Sequence, residues 1–383
     1  MRDAAALEGP RTGMTAVLLP PTAMSFHVVA GLPIVQRVAL CALRGGFDAV
    51  IALAPGDGAA LRAVLARDPR TARIPVVADT AGAAIVSEHV ALIPSDCVVT
   101  TGALVRARAA EVNGRPLRFG AGGIVVAPRA TLGAPPSDAG LPEGELCLRV
   151  TDARAAAAAE RALLATLGSP TDGPIARFDR ALSTRISRHL VRTPLRPNHI
   201  TTIGTCIGFA GAWGLAQGSY LSGVLGALLF WFAVIIDGCD GEVARLKFLE
   251  SRFGYWYDIT TDNLVHAAVF AGLGVGLYRA DPSQPFLLLG ALLVGGLIAA
   301  TAATLTLLVP DPLADQPAPR SRRGRGRRRL LGGFEALMNR DFAYLLLLLA
   351  VVGRLHWFLW GAAVGTYVYA GALVLVHRWR DAD

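Results

Sequence analysis

The chain has 383 residues, of which 53% are hydrophobic and only 17% charged, and its mean hydropathy is +0.46. So apolar a balance excludes a wholly water-soluble protein and places part of the chain in lipid. Lysine and arginine outnumber aspartate and glutamate by 37 to 29, and many of the arginines stand in two clusters beside apolar segments, which suits anionic headgroups or phosphorylated ligands. No basic stretch is interleaved with aromatics that would stack on bases, so nucleic acid is not an expected partner. The five cysteines, Cys41, Cys97, Cys147, Cys206 and Cys239, include no Cys-x2-Cys pair, which argues against a disulfide scaffold and against a structural zinc site.

In chain order, residues 1–170 come first. Short β-branched runs at Thr15–Leu19, Ala49–Leu53, Val76–Ala78, His89–Ile93, Ile124–Val126 and Cys147–Val150 alternate with Ala/Arg-rich helical stretches. That alternation predicts an α/β layer domain. Its start lacks the basic, apolar, small-residue order of a signal peptide, so the domain is expected on the cytosolic side.

Residues 171–198 follow as a juxtamembrane segment. Ile175, Phe178, Leu182, Ile186 and Leu190 recur at spacings of three and four, while Arg177, Arg180, Arg185, Arg188 and Arg192 take other faces. The pattern predicts an amphipathic helix lying on a membrane surface; an ordinary domain-packing helix is the alternative.

Residues 199–383 read as an all-α membrane domain. From His199 to Ile236 there is no Asp, Glu, Lys or Arg in 38 residues, and Gln217, Gly218 and Ser219 break the run in two. At about 20 residues per crossing, this is a helical hairpin. A third span is expected from about Gly254 to Tyr278, a fourth over Pro285–Val309, and two more between Ala336 and Val376 with a turn near Arg354, giving six. Arginine and lysine concentrate before the first span, at Arg245, Lys247 and Arg252, and in the run from Arg320 to Arg340; the opposite loops offer only Arg279 and Arg354. By the positive-inside rule both termini face the cytosol.

The residues that carry chemistry follow the second span. Asp237 and Asp240 are three apart, Asp258 and Asp262 four apart, so each pair shares a helix face. If the second and third spans are antiparallel neighbours, the pairs face each other near the cytosolic boundary. Four converging carboxylates repel one another unless cations lie between them, and hard divalent ions such as Mg²⁺ or Mn²⁺ fit oxygen ligands. Gly241, Ala244 and Gly254 are small, which lets a ligand approach the backbone; close helix packing explains them equally well.

The pattern Asp-x2-Asp-Gly-x2-Ala-Arg-x8-Gly-x3-Asp-x3-Asp, read from Asp237 to Asp262, resembles the signature of the CDP-alcohol phosphotransferase family. The resemblance covers residues 172–383, including the Pro197, Asn198, His199, Ile200, Thr201 stretch that leads into the first span. It implies an integral protein of the cell inner membrane with its active site on the cytosolic side. Such enzymes transfer a phosphoryl-linked alcohol from a CDP-alcohol donor to the hydroxyl of an alcohol or polyol-phosphate acceptor and release CMP. The resemblance further implies that Asp237, Asp240, Asp258 and Asp262 bind two divalent ions, that Asp262 is also the general base, and that Gly241, Ala244 and Arg245 lie at the CDP moiety. Gly254 and Asn198 are further substrate-binding candidates, Arg340 beside Asp341 is the candidate contact for an acceptor phosphate, and a homodimer surrounded by lipid is the expected assembly.

The leading domain resembles nucleotidyltransferases of the sugar-phosphate type, through Val29–Arg37, Gly46–Val50 and Ile93–Asp96. The pairing of the two parts is similar to bifunctional inositol-phosphate cytidylyltransferase and di-myo-inositol phosphate phosphate synthases. Such domains hold a triphosphate on a Gly-rich loop with Arg and Lys, whereas Leu19–Phe26 here has neither glycine nor a basic residue. Asp96 and Asp152 remain metal-ligand candidates. The expectation is therefore a degenerate domain kept for docking or regulation; the alternatives are a bifunctional enzyme that makes its own CDP-alcohol from CTP, and a non-enzymatic transporter or membrane anchor.

Overall fold

In the computed structural model the chain divides into two compact units, Met1–Ser169 and Pro170–Asp383. The structure describes residues 13–79, 85, 87–110, 112, 114–168, 173–307 and 341–381.

The first unit is built on a seven-stranded sheet. In it β1 (Met14–Leu18), whose five residues are all buried, pairs in parallel with β4 (Ala49–Leu53) on one side and with β6 (His89–Ile93) on the other. Two hairpin strands, β2 (Val28–Val29) and β3 (Leu32–Pro33), separate β1 from helix α1 (Ile34–Arg44). β5 (Val76–Val77) extends the parallel part beyond β4. Beyond β6 the sheet turns antiparallel with β9 (Ile124–Pro128) and β8 (Leu117–Phe119), and ends on β10 (Ser137–Ala139). The apolar, β-branched composition of β1 and β4 is that of strands covered on both faces. A separate antiparallel ribbon joins β7 (Cys97–Val99) to β11 (Cys147–Arg149). Helices α2 (Ala59–Leu65), α3 (Thr101–Arg108) and α4 (Ala153–Ala165) complete the unit, and the Asp152 carboxylate caps α4 by accepting from the Ala155 amide at 2.8 Å.

The second unit is helical: α5 (Pro174–Leu190), α6 (Pro197–Ala216), α7 (Tyr220–Lys247), α8 (Arg252–Ala280), α9 (Phe286–Leu307), α10 (Asp341–Val351) and α11 (Leu355–Asp381) among the described residues. α6 ends and α7 begins on either side of Gln217–Ser219, where Gly218 takes a left-handed φ of +78° and Ser219 caps α7. Two described helices, Tyr220–Lys247 and Phe286–Leu305, are long and apolar enough to cross a membrane. The outer surface supports the same reading, since Trp213, Leu225, Leu288, Ile298, Trp357 and Val364 are exposed. Apolar cover on this scale belongs to a bundle solvated by lipid.

α6 lies against both α7 and α8 along a glycine face, and α7 and α8 also meet through side chains, as in the edge contact of Phe230 with His266, ring centroids 5.7 Å apart. A Cβ on Gly211 would lie 2.8 Å from the Gly226 carbonyl oxygen of α7, and a Cβ on Gly272 of α8 would lie 2.4 Å from the Ala212 carbonyl oxygen of α6. Only hydrogen side chains permit such backbone approach.

α5 forms where the 3–4 spacing predicted, but its buried stripe is Asp179, Ser183 and Ser187. Phe178 is 57% exposed and Ile175 37%. Further along, Ile186 and Leu190 of the apolar stripe are half-buried against the cluster of Ile200, Ile236 and Val243.

Candidate active site

The site forms at the Asp-rich end of α7 and the beginning of α8. α7 stops because Phe248 adopts a left-handed φ of +58°, with the Leu249 amide donating back to the Ala244 carbonyl at 2.8 Å. Ser251 then caps α8, accepting from the Gly254 amide at 3.0 Å. This short reversal brings the two acidic helix ends together. Asp237, Asp240 and Asp258 each present an oxygen, and the three oxygens lie within 4.8 Å of one another. Asp240 is 5% exposed and accepts a hydrogen bond from the Thr201 hydroxyl of α6.

Asp262 lies one turn further along α8, outside that triplet. It lines a small adjoining cleft with Asp237, Thr201, Thr205 and Thr261, beside Phe230 and Val265. Asn198 and Gly254 meet: a Cβ on Gly254 would lie 3.2 Å from Asn198 Oδ1. Gly241 lies beside the Arg245 guanidinium, with a Cβ there reaching Nη1 at 3.4 Å. Ala244 is buried and Arg245 exposed. Arg340 lies outside the described residues.

Residues 195–368 match the family described as CDP-alcohol phosphatidyltransferase. The helical unit carries a CDP-alcohol phosphatidyltransferase domain. Among similar proteins, the bifunctional IPC transferase and DIPP synthase of Rubrobacter xylanophilus is 36% identical over 138 residues, 35% of this chain and 31% of that one. The phosphatidylinositol phosphate synthase of Mycobacterium tuberculosis is 39% identical over 92 residues, 24% of this chain and 42% of that one. The chain thus spans well under two thirds of these relatives. A crystal structure of the latter enzyme, in complex with manganese and citrate, aligns at 26% identity and TM-score 0.34, covering 50% of this chain and 88% of that one.

Around the CDP-alcohol phosphatidyltransferase signature the structure adds residues that spacing did not single out. Thr201 was visible only as part of the stretch leading into the first span, with no sign that its hydroxyl meets Asp240. Glu242 is fully buried; its Oε1 accepts from Ser183 Oγ at 2.6 Å and lies 3.6 Å from Arg180 Nη1, tying α5 to α7. The Asp179 carboxylate accepts from the Tyr344 hydroxyl of α10. Lys247 Nζ donates to the Thr193 carbonyl at 2.7 Å and the Leu195 carbonyl at 3.3 Å, fixing the link from α5 to α6. None of these pairings has a local sequence signal, because the partners are 39 to 165 positions apart.

In the first unit, Asp96 is held by Arg149, whose Nε lies 3.1 Å from Oδ1, and by Thr22, whose hydroxyl donates to Oδ2 at 3.3 Å. With Asp152 serving as the cap of α4, both metal-ligand candidates of this unit have structural partners.

Proposed function

We propose that the chain is an integral-membrane CDP-alcohol phosphotransferase that moves a phosphatidyl or inositol-phosphate type group from a CDP-alcohol to an acceptor hydroxyl and releases CMP. The observation that carries this reading is the convergence of Asp237, Asp240 and Asp258 inside the stretch that matches the family. In this reading the bundle spans the membrane six times, with both termini and the site on the cytosolic side of the inner membrane, and works as a homodimer.

The donor set fits a hard divalent cation: three carboxylate oxygens within 4.8 Å, with Asp262 one helical turn away. Asp237, Asp240, Asp258 and Asp262 would hold two Mg²⁺ or Mn²⁺ ions, which supply charge neutralisation to a pyrophosphate losing CMP. Thr201 fixes the rotamer of Asp240. Asp262, facing the cleft, accepts the proton of the acceptor hydroxyl, since an alcohol is a weak nucleophile at neutral pH. Gly241, Ala244 and Gly254 leave backbone room for the CDP moiety; Asn198 offers its amide and Arg245 its charge beside them. Arg340 is the proposed contact for an acceptor phosphate.

The first unit fits a nucleotidyltransferase-like domain that has lost its chemistry. The Leu19–Phe26 segment brings no glycine or basic residue after β1, and Asp96 is committed to Arg149 and Thr22. The test is a panel: purified full chain with CDP-diacylglycerol or CDP-inositol as donor, and inositol phosphate, glycerol phosphate or free polyols as acceptors. CMP release that depends on one donor and acceptor pair supports the reading. No CMP release from any pair, with a folded protein and Mg²⁺ or Mn²⁺ present, overturns it.

A further inference from the structure

The sequence counts Lys247 among the basic residues that mark the cytosolic loops, but the structure turns it inward. It stands half-buried in the last turn of α7, and its Nζ donates to the Thr193 carbonyl at 2.7 Å and the Leu195 carbonyl at 3.3 Å. Both carbonyls belong to the link between α5 and α6. A helical continuation would not supply their donors. Pro197, four residues past Thr193, has no N–H, and the His199 amide, four past Leu195, donates to the Arg196 carbonyl at 3.0 Å.

The link delivers the first turns of α6, which touch both acidic helices. Thr201 donates to Asp240 of α7. Thr202 Oγ1 donates to the Asn198 carbonyl at 2.8 Å and lies 2.9 Å from the hydroxyl of Tyr257, the residue before Asp258 on α8. A threonine hydroxyl has one hydrogen, so Tyr257 is the donor in that second pair. Lys247 and Asp240 are seven apart, about two turns, and so share one stripe of α7. That stripe holds the entry of α6 at two points: the ammonium on the link and the carboxylate on Thr201.

We propose that Lys247 is a positioning residue for the divalent-ion site, holding the link so that Thr201 stays in register with Asp240; this role rests on the reading of the acidic site given above. Its sign separates it from simple electrostatics. A positive charge near the carboxylates repels a cation, so neutralising Lys247 should by charge alone tighten Mn²⁺ binding. Losing the register does the opposite, because Asp240 without its hydroxyl partner leaves the ligating rotamer.

The test is Mn²⁺ binding to the purified full chain in detergent, followed by titration calorimetry with no nucleotide or acceptor present. Lys247→Met keeps the aliphatic stem and loses the donors; its dissociation constant should rise about 3–10-fold, less than for a direct partner of a metal ligand. The double variant Lys247→Met, Thr201→Val should bind no more weakly than Thr201→Val alone, since both losses release the same carboxylate. Arg252→Met removes an exposed charge at the start of α8 and should not weaken binding. Lys247→Met binding as tightly as wild type, or more tightly, would overturn the proposal, as would additive effects in the double variant or an equal loss in Arg252→Met. A wild-type chain that binds no Mn²⁺ would overturn the ion site together with this role. Hydrogen exchange on wild type needs no variant to fold: by linkage, Mn²⁺ should slow exchange at the Thr193, Leu195 and Arg196 amides, and unchanged exchange there would also overturn the proposal.

Discussion

Replacing Gly272 by alanine asks whether the bundle depends on backbone contact between α6 and α8. The new Cβ would lie 2.4 Å from the Ala212 carbonyl oxygen, where ordinary contact begins at 3.4 Å, so the helices must part by about 1 Å. The obstacle is backbone, which has no rotamer to change. Overpacking of this kind costs about 1–3 kcal/mol. Alanine also raises helix propensity by about 1 kcal/mol, so the fair reference is Gly361→Ala in α11, where a new Cβ meets nothing within 4 Å. At roughly 2–4 °C per kcal/mol for a domain of this size, a 2 kcal/mol difference places Gly272→Ala about 4–8 °C below Gly361→Ala. Thermal unfolding in detergent, followed by tryptophan fluorescence, reads this directly. Equal midpoints for the two variants would refute the argument that α6 is held between α7 and α8 by glycine contacts.

Thr201→Val removes the hydroxyl that donates to Asp240, so the Mn²⁺ concentration at half-saturation should rise about 10–100-fold, while Thr201→Ser stays near wild type; titration calorimetry separates them. Glu242→Leu removes the buried carboxylate that Ser183 and Arg180 share and should cost about 2 kcal/mol, below the range for a fully buried pair because Arg180 is partly exposed; limited proteolysis should show α5 cut sooner. The full chain given CTP and a phosphorylated alcohol should release no pyrophosphate; release that depends on Asp96 would show that its pairing with Arg149 is not a dead end.

The helix ends of the membrane unit were legible because charge and small polar residues interrupt apolar runs there, as at Gln217–Ser219. The acidic site was legible because spacings of three and four translate directly into one helix face. The main strands of the first unit could be read from their β-branched runs. What stayed hidden depends on partners far apart in sequence. Three-residue strands such as β8 and β10 carry too few side chains to show alternation. The periodicity of α5 revealed its apolar stripe, yet its most deeply buried residues are Asp179, Ser183 and Ser187, of which Asp179 and Ser183 are engaged by Tyr344 and Glu242 on other helices. The close backbone contacts of α6 with α7 and α8 were not legible, because the glycines that permit them lie on three different helices.

The central claim is that carboxylates of α7 and α8 hold divalent ions that make CMP leave. The most direct measurement is CMP release by the purified chain with its CDP-alcohol and acceptor, after chelation and then stepwise return of Mg²⁺ or Mn²⁺, beside Asp237→Asn and Asp258→Asn. The account predicts no release in excess chelator, recovery with either ion, and folded but inactive variants at every metal concentration. Full turnover in excess chelator, or an Asp258→Asn protein as active as wild type, would contradict it.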